Sequence, residues 1–332
     1  MLKPILAITM GDPAGVGPEI IVKALANPVI HDICRPFVVG DRKILERACE
    51  VTLLPLAIHE IEGPEEGCYA PGVIDLVALD LVAEDLPFGK VSAAAGDAAF
   101  QFLKKAVDLA LEGRLQAIVT APLNKEALHK GGHPYPGHTE ILADLTGTKD
   151  YAMMLSAPHL KVIHLTTHMG LIDAIESITP ERTYKVIRLA HEVLMRSGRP
   201  RPRVAVAAIN PHAGENGLFG RGEEAEKLVP AIERTRSEGV EVSGPYPADT
   251  VFNRALRGDF DIVVACYHDQ GHVPVKVLGF EDGVNITVGL KGGVIRTSVD
   301  HGTAFDIAGK NLASPQSLIA AIRDAAELAP KE

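Results

Sequence analysis

Short apolar runs rich in β-branched residues recur along this chain, and longer stretches with helical apolar spacing separate them. Runs at 5–10, 37–40, 117–120, 151–156, 162–167, 204–209, 262–267 and 284–288 have the length and composition of buried strands. Stretches at 18–26, 93–112, 180–197, 223–238 and 315–328 read as helices. Strands buried on both faces and alternating with helices pack as parallel sheets covered by helices, so the expectation is an α/β fold. One helix carries full punctuation: Thr179 as cap, Pro180 in the first position, Glu181 in the first turn and Gly198 as the stop. The Gly-, Pro- and Glu-rich stretch 60–72 reads as a surface loop or hairpin.

A chain of 332 residues exceeds one ordinary hydrophobic core, which favours two domains. With 46% hydrophobic and 23% charged residues it has the balance of a globular protein. The net charge of -10, without a basic cluster, argues against nucleic acid or an anionic membrane as partner. No uncharged run reaches the ~18 residues of a membrane span. Four cysteines without CxxC spacing fit reduced thiols, and the opening MLKPILAITMGDP is too short in apolar residues for a signal peptide, so a cytoplasmic protein is expected.

Three of the strand-like runs lead into histidines: His168 in VIHLTTH, His212 in VAVAAINPH and His268 in DIVVACYHDQGH. Strands deliver such residues to one sheet edge, and three imidazoles with an open fourth position form a catalytic divalent-metal site. Single histidines are more often ordinary core or surface residues; the matching positions set these apart. Lys125, after the strand at 117–120, is either a solvated lysine or a cleft residue able to move a proton. Asp249 in PYPADTVF is either a helix cap or a carboxylate for the metal shell or for base chemistry. His138 and Thr139 open a helix and can bind a phosphate or carboxylate, Thr139 also being a plain cap candidate. Lys276, Asn285 and Arg296 lie on successive pieces expected to be extended, and together could clamp an anion. The turn GDPAGVGPEI feeds a helix N-terminus without being a GxGxxG fingerprint.

ITMGDPAGVGPEI, TAPLNK, PGHTE, TTH, NPHAGE, PADT, YHDQG, GVNIT and IRTSVDHGTAFDIAGK occur in this order across nearly the whole chain. In this the sequence strongly resembles the 4-hydroxythreonine-4-phosphate dehydrogenase family, including its branch acting on D-threonate and D-erythronate 4-phosphate. The resemblance implies a two-domain isopropylmalate/isocitrate-dehydrogenase-like fold with an interdomain cleft. Residues 1–124 plus 272–332 would form the cofactor side, and 125–271 the metal, substrate and dimer-interface domain. It implies a homodimer, a divalent metal (Zn, Co or Mg) on His168, His212 and His268, and substrate contacts from His138, Thr139, Lys276, Asn285 and Arg296. Imidazole donors favour Zn or Co over Mg. More distantly, GDPAGVGPE and HGTAFDIAGK resemble NAD-contacting segments of isopropylmalate and isocitrate dehydrogenases. Gly11, Asp12, His301, Gly302, Thr303, Ala304 and Asp306 are then the implied NAD contacts, with the Asp306 charge disfavouring the 2′-phosphate of NADP.

The implied reaction is metal-dependent, NAD-linked oxidation with decarboxylation of a 4-phosphorylated 3-hydroxy acid, with pyridoxine biosynthesis as the setting if hydroxythreonine phosphate is the substrate. Lys125, then Asp249, are the candidate proton carriers. One departure matters: family members often read GLPFIRTS, whereas this chain reads GLKGGVIRTS, two residues longer before Arg296. That keeps open a cis-dihydrodiol dicarboxylate dehydrogenase of aromatic catabolism. A metal-dependent hydrolase or lyase without NAD, and a phosphate-binding module without catalysis, are the rivals from other classes.

Overall fold

The computed structural model describes residues 2–279 and 283–330. They form two compact units, one of residues up to 149 together with 290–330, the other within 150–289.

In the first unit six parallel strands lie in the order β3 (Ala57–Glu60), β4 (Val73–Ala78), β2 (Arg35–Gly40), β1 (Ile5–Thr9), β5 (Ala117–Thr120) and β12 (Ile295–Ser298). Helices α1 (Gly17–Leu25), α2 (Pro28–Ile33), α3 (Arg42–Thr52), α4 (Ala93–Leu111), α5 (Lys125–Lys130), α6 (His138–Leu145) and α12 (Gln316–Leu328) complete it. Leu6, Ile8, Phe37, Val38, Ile118 and Phe102 are fully buried, as expected where helices cover a parallel sheet. The expected α/β architecture is observed. The 60–72 stretch is not a hairpin, because β3 and β4 run parallel and the segment must cross back between them.

In the second unit the strand order is β11 (Val284–Val288), β6 (Ala152–Ala157), β7 (Leu160–His164), β10 (Ile262–Ala265), β8 (Val204–Ala207) and β9 (Val242–Tyr246). Strand β6 pairs antiparallel with β11 and β7, while β7, β10, β8 and β9 are mutually parallel. The helices are α7 (Leu171–Ser177), α8 (Pro180–Arg196), α9 (Val229–Ser237), α10 (Ala248–Leu256) and α11 (His268–Leu278). Helix α8 has the expected cap, with Thr179 Oγ1 accepting from the Arg182 amide at 3.1 Å, and Gly198 follows it at φ +94°.

Four strands, β3, β4, β9 and β12, escape the apolar pattern. Strand β3 is a mostly exposed edge, β4 contains Asp75, β9 contains Gly244 and Pro245, and three of the four residues of β12, Arg296, Thr297 and Ser298, are polar. Short helices such as α5 and α7 lack room for a clear period. Lys276 is not on an extended piece: it belongs to α11, where Gly271 and Pro274 mask the helical signal. The stretch expected as one helix at 223–238 is a π-helical turn, Glu224–Leu228, running into α9.

Candidate functional site

The parallel run β7, β10, β8 puts three C-terminal strand ends side by side, with Ala265 in register with His164 and Val264 with Val206. His168, His268 and His212 stand in the segments leaving these ends rather than on the strands themselves. The ladder continues past the sheet. Leu165 N–H donates to the Ala265 carbonyl at 2.8 Å, and the Thr166 hydroxyl donates to the Cys266 carbonyl at 2.8 Å. Gln270, buried, ties the other side: its side-chain oxygen accepts from Cys266 N–H and its amide donates to the Ala208 carbonyl, both at 2.7 Å. The three departing segments are thus laced together at their roots.

The rings of His168 and His268 lie 5.6 Å apart, centroid to centroid. A cavity of about 320 Å³ opens against both, lined also by Thr167, Met169, Tyr267 and Asp269. His268 Nδ1 donates to the Asp269 carboxylate at 2.7 Å, which leaves the Nε2 lone pair for a ligand. A carboxylate behind an imidazole is the usual orientation device at a metal site. His212 reaches the same edge on an unusual backbone. His212, Ala213, Gly214, Glu215 and Asn216 all have positive φ, between 39° and 78°. For non-glycine residues each such conformation costs roughly 1–2 kcal/mol. Strain of this kind persists where surrounding structure over-determines it, commonly at functional sites.

Behind His268 stands a stack. His272 lies on it at 3.6 Å with rings 14° apart, and His272 Nδ1 meets His164 Nε2 at 3.2 Å and the His268 carbonyl at 3.0 Å. Burial pushes His164 down to about 3 and His272 down to about 4, so both are neutral near pH 7. Near-parallel rings do not share an in-plane point nearby, so His272 packs as a support against His268 and the two rings are not set to hold one ion together. Lys276 follows on the same helix, its pKa lowered by burial, and Asn285 on β11 donates to the Met153 sulfur at 3.7 Å. Asp249 is exposed in the first turn of α10, whose cap position is Pro247, so it is not the cap.

The first unit holds a buried cation. Arg296 on β12 is 4% exposed, and its Nε and Nη2 both donate to Thr120 Oγ1, at 3.0 and 2.7 Å. Burial pushes its guanidinium down to about 9, and Glu140 counters this. His138, at the start of α6, is held well below its ordinary value by burial and by the charge of Arg296. Among the described residues no carboxylate lies within ion-pair distance of Arg296. Thr139 lies inside α6, which Gly137 caps, so it is not the cap. Lys125 is exposed at the first position of α5, capped by Asn124.

The Gly-rich turn spends its amides internally. Ala14 N–H donates to Asp12 Oδ1, Gly15 N–H to the Asp12 carbonyl and Val16 N–H to the Thr303 carbonyl. A Cβ on Gly11 would lie 2.3 Å from the Pro122 carbonyl oxygen, so this glycine lets two chain segments touch. Asp12 is wholly buried, its Oδ2 has no hydrogen-bond partner, and burial pushes it up to about 6. Thr303 is buried beside this turn, whereas His301, Gly302 and Asp306 are exposed, and Ala304 has φ +43°. Among the described residues, His59, Cys68 and Asp75 are the one group of three potential metal ligands whose donor atoms lie within 4.8 Å of one another; the donor atoms of His168, His212 and His268 stand farther apart than that. Asp75 accepts from His59, from Cys68 N–H and from Tyr69 N–H, which reads as a staple of the 60–72 segment to β4.

The family model for "Pyridoxal phosphate biosynthetic protein PdxA" matches residues 32–325. The chain belongs to the PdxA family. It is 58% identical over 328 residues to a D-threonate 4-phosphate dehydrogenase of Cupriavidus necator, covering 99% of this chain and 98% of that protein. A crystal structure of a 4-hydroxythreonine-4-phosphate dehydrogenase from Burkholderia phymatum matches with a TM-score of 0.95 at 57% identity, covering 100% of both chains. A terephthalate 1,2-cis-dihydrodioldehydrogenase structure from Burkholderia xenovorans LB400 matches less well, at TM-score 0.74 and 32% identity, with 98% of both covered. This PdxA-family chain is a dehydrogenase, which removes the hydrolase, lyase and non-catalytic alternatives, and its class implies an NAD-type hydride acceptor.

Several residues that shape these clusters escaped the sequence reading: Thr120, Gln270, His272 and His164, and Glu224, which accepts from the Ile209 and Asn210 N–H groups at the root of the His212 segment. They act through hydrogen bonds and packing on other residues, backbone as well as side chain, so no motif chemistry flags them. The one available signal is positional, because Gln270 and His272 lie inside HDQGH beside His268.

Proposed function

We propose that the substrate is a 4-phosphorylated 3-hydroxy acid, with D-threonate 4-phosphate first among candidates and 4-hydroxythreonine 4-phosphate second. It would be oxidised at C3 and lose its carboxylate as CO2. The observation that carries this reading is Arg296, a buried guanidinium pinned to one hydroxyl with no carboxylate partner among the described residues. A buried charge is costly until paired, and a phosphate supplies that pair. His138 and Thr139 would share the anionic end, with Lys276 and Asn285 binding the rest of the substrate. The 58% identity to a D-threonate 4-phosphate dehydrogenase supports the order of candidates.

His168, His212 and His268 would hold a divalent ion, and their imidazole donors suit Zn or Co better than Mg. Bound, the ion supplies Lewis acidity at the hydroxyl and later carbonyl oxygen, and NAD supplies the hydride acceptor. Gly11, Asp12, His301, Gly302, Thr303, Ala304 and Asp306 are the proposed NAD side, with exposed Asp306 set against a 2′-phosphate. Lys125, with Asp249 second, would move the proton. A homodimer through the second unit would cover exposed apolar side chains such as Ile172, Leu218, Val273 and Val277.

The test is NADH formation with D-threonate 4-phosphate, 4-hydroxythreonine 4-phosphate and a cis-dihydrodiol dicarboxylate. Turnover of the first in preference to the others is expected. Preference for the second would return the chain to pyridoxine biosynthesis, and preference for the unphosphorylated diol would sink the phosphate reading. In parallel, His168→Ala should lose metal and activity together; full metal content with normal turnover would remove His168 from the metal set.

A further inference from the structure

We propose that Glu224 positions His212 by bracing the left-handed turn that carries it. The inference rests on the reading of His212 as a metal ligand. The turn His212–Asn216 contains four non-glycine residues in the left-handed region, which its local sequence does not favour. Its backbone ends are tied by Ala213 N–H to the Asn210 carbonyl at 3.2 Å, Leu218 N–H to Glu215 at 3.2 Å and Phe219 N–H to Gly214 at 3.1 Å. Side-chain support is added from outside the segment. Glu224 Oε1 accepts from Ile209 N–H at 3.1 Å and Asn210 N–H at 2.6 Å, and Oε2 accepts from the Asn210 side-chain amide at 3.0 Å.

That carboxylate also sets the turn from its inner face. A Cβ on Gly214 would lie 3.2 Å from Glu224 Oε2, so the carboxylate lies against the turn at this glycine. Asn210 is held a second time, by Glu223 Oε2 at 2.9 Å. Glu224 itself is 8% exposed and opens the π-helical turn, a local departure from α geometry often found where a side chain is aimed for function. The carboxylate therefore fixes the entry to the turn at Ile209 and Asn210, and with it the direction from which the His212 ring leaves the sheet edge.

A purely structural role would change stability alone, so the readout is metal binding in the full-length protein. Cobalt(II) affinity is measured by its absorption for wild type, His212→Ala, Glu224→Ala, Glu224→Gln and the double variant Glu224→Ala with Ala213→Gly. Amide exchange over 212–216 is followed in metal-free samples. Glu224→Ala is expected to weaken cobalt binding about 10–100-fold, the range for a residue behind a ligand, and to speed exchange in the turn. Glu224→Gln, keeping an acceptor oxygen, should lose less. Ala213→Gly makes the left-handed backbone cheap and should restore part of the affinity. Cobalt affinity unchanged in Glu224→Ala, with His212→Ala defective, would overturn the proposal, as would unchanged exchange. If exchange speeds up but His212→Ala still binds cobalt like wild type, the brace stands and the metal reading of His212 is what fails.

Discussion

Arg296 shows how a single buried cation can be kept ready. Its guanidinium is planar, and two of its nitrogens are committed to Thr120, so its orientation is set before any anion arrives. Arg296→Ala should cost about 2–5 kcal/mol in kcat/KM, the scale for truncating one partner of a buried charged pair. The loss should shrink on a substrate analogue without phosphate; equal losses on both would assign Arg296 to the carboxylate or to the fold. Thr120→Val is nearly isosteric but strips both guanidinium bonds. It should raise KM and destabilise the protein by about 1–3 kcal/mol, the penalty for leaving buried donors unsatisfied. Arg296 was legible as a candidate from its residue type; its partner was not, because Thr120 is 176 residues away and joins it only through the β5–β12 pairing.

At the scale of elements, α11 is the least regular and the most burdened. It begins with His268, carries Gln270, His272 and Lys276, and contains Gly271 and Pro274. Gly271 is where the helix lies against β7: a Cβ there would sit 2.3 Å from His164 Nε2 and 2.8 Å from Val162 Cγ1. His164 is fully buried and has no room to withdraw. Helix propensity alone would make Gly271→Ala stabilising by about 1 kcal/mol. Overpacking costs about 1–3 kcal/mol and should prevail, so a lowered Tm is expected. A raised Tm would show that His164 can yield. The helix was not foreseen because its sequence serves contacts on its neighbours before it serves its own period.

For the whole molecule, two buried groups pull the pH dependence of stability in opposite directions. Asp12 is pushed up from 3.8 to about 6 by burial, so the folded state holds that proton more tightly than the unfolded chain does. Its contribution is complete below about pH 4 and is lost as pH rises through about 6, on the order of 3 kcal/mol at about 1.4 per unit. His164 is pushed down from 6.5 to about 3, so its contribution is present above about 6.5 and is lost as pH falls toward 3. Chemical denaturation of wild type and Asp12→Asn between pH 4 and 7 isolates the first term. The wild type should lose stability relative to the variant as pH rises; a constant difference would mean that Asp12 does not titrate in this window. On the same scale, the proposed homodimer predicts a dimer mass for wild type in light scattering and a shift toward monomer for Ile172→Glu on the exposed start of α7; a monomeric wild type would overturn the homodimer, and an unchanged dimer mass in the variant would move its contact elsewhere.

The sequence by itself determined the α/β class, because alternating apolar runs and helical stretches are local patterns, and it determined the family, because its motifs keep their order along the chain. It also singled out His168, His212, His268 and Arg296 by residue type and position. Only tertiary structure decided that β7, β10 and β8 are parallel neighbours, which brings three distant segments to one edge. It alone put Thr120 beneath Arg296, His272 against His268 and Glu224 under a left-handed turn. The physical reason is common to these cases. Propensity and periodicity are set by neighbours in the chain, whereas the orientation of a ligand or a buried charge is set by hydrogen bonds and packing between residues far apart in sequence.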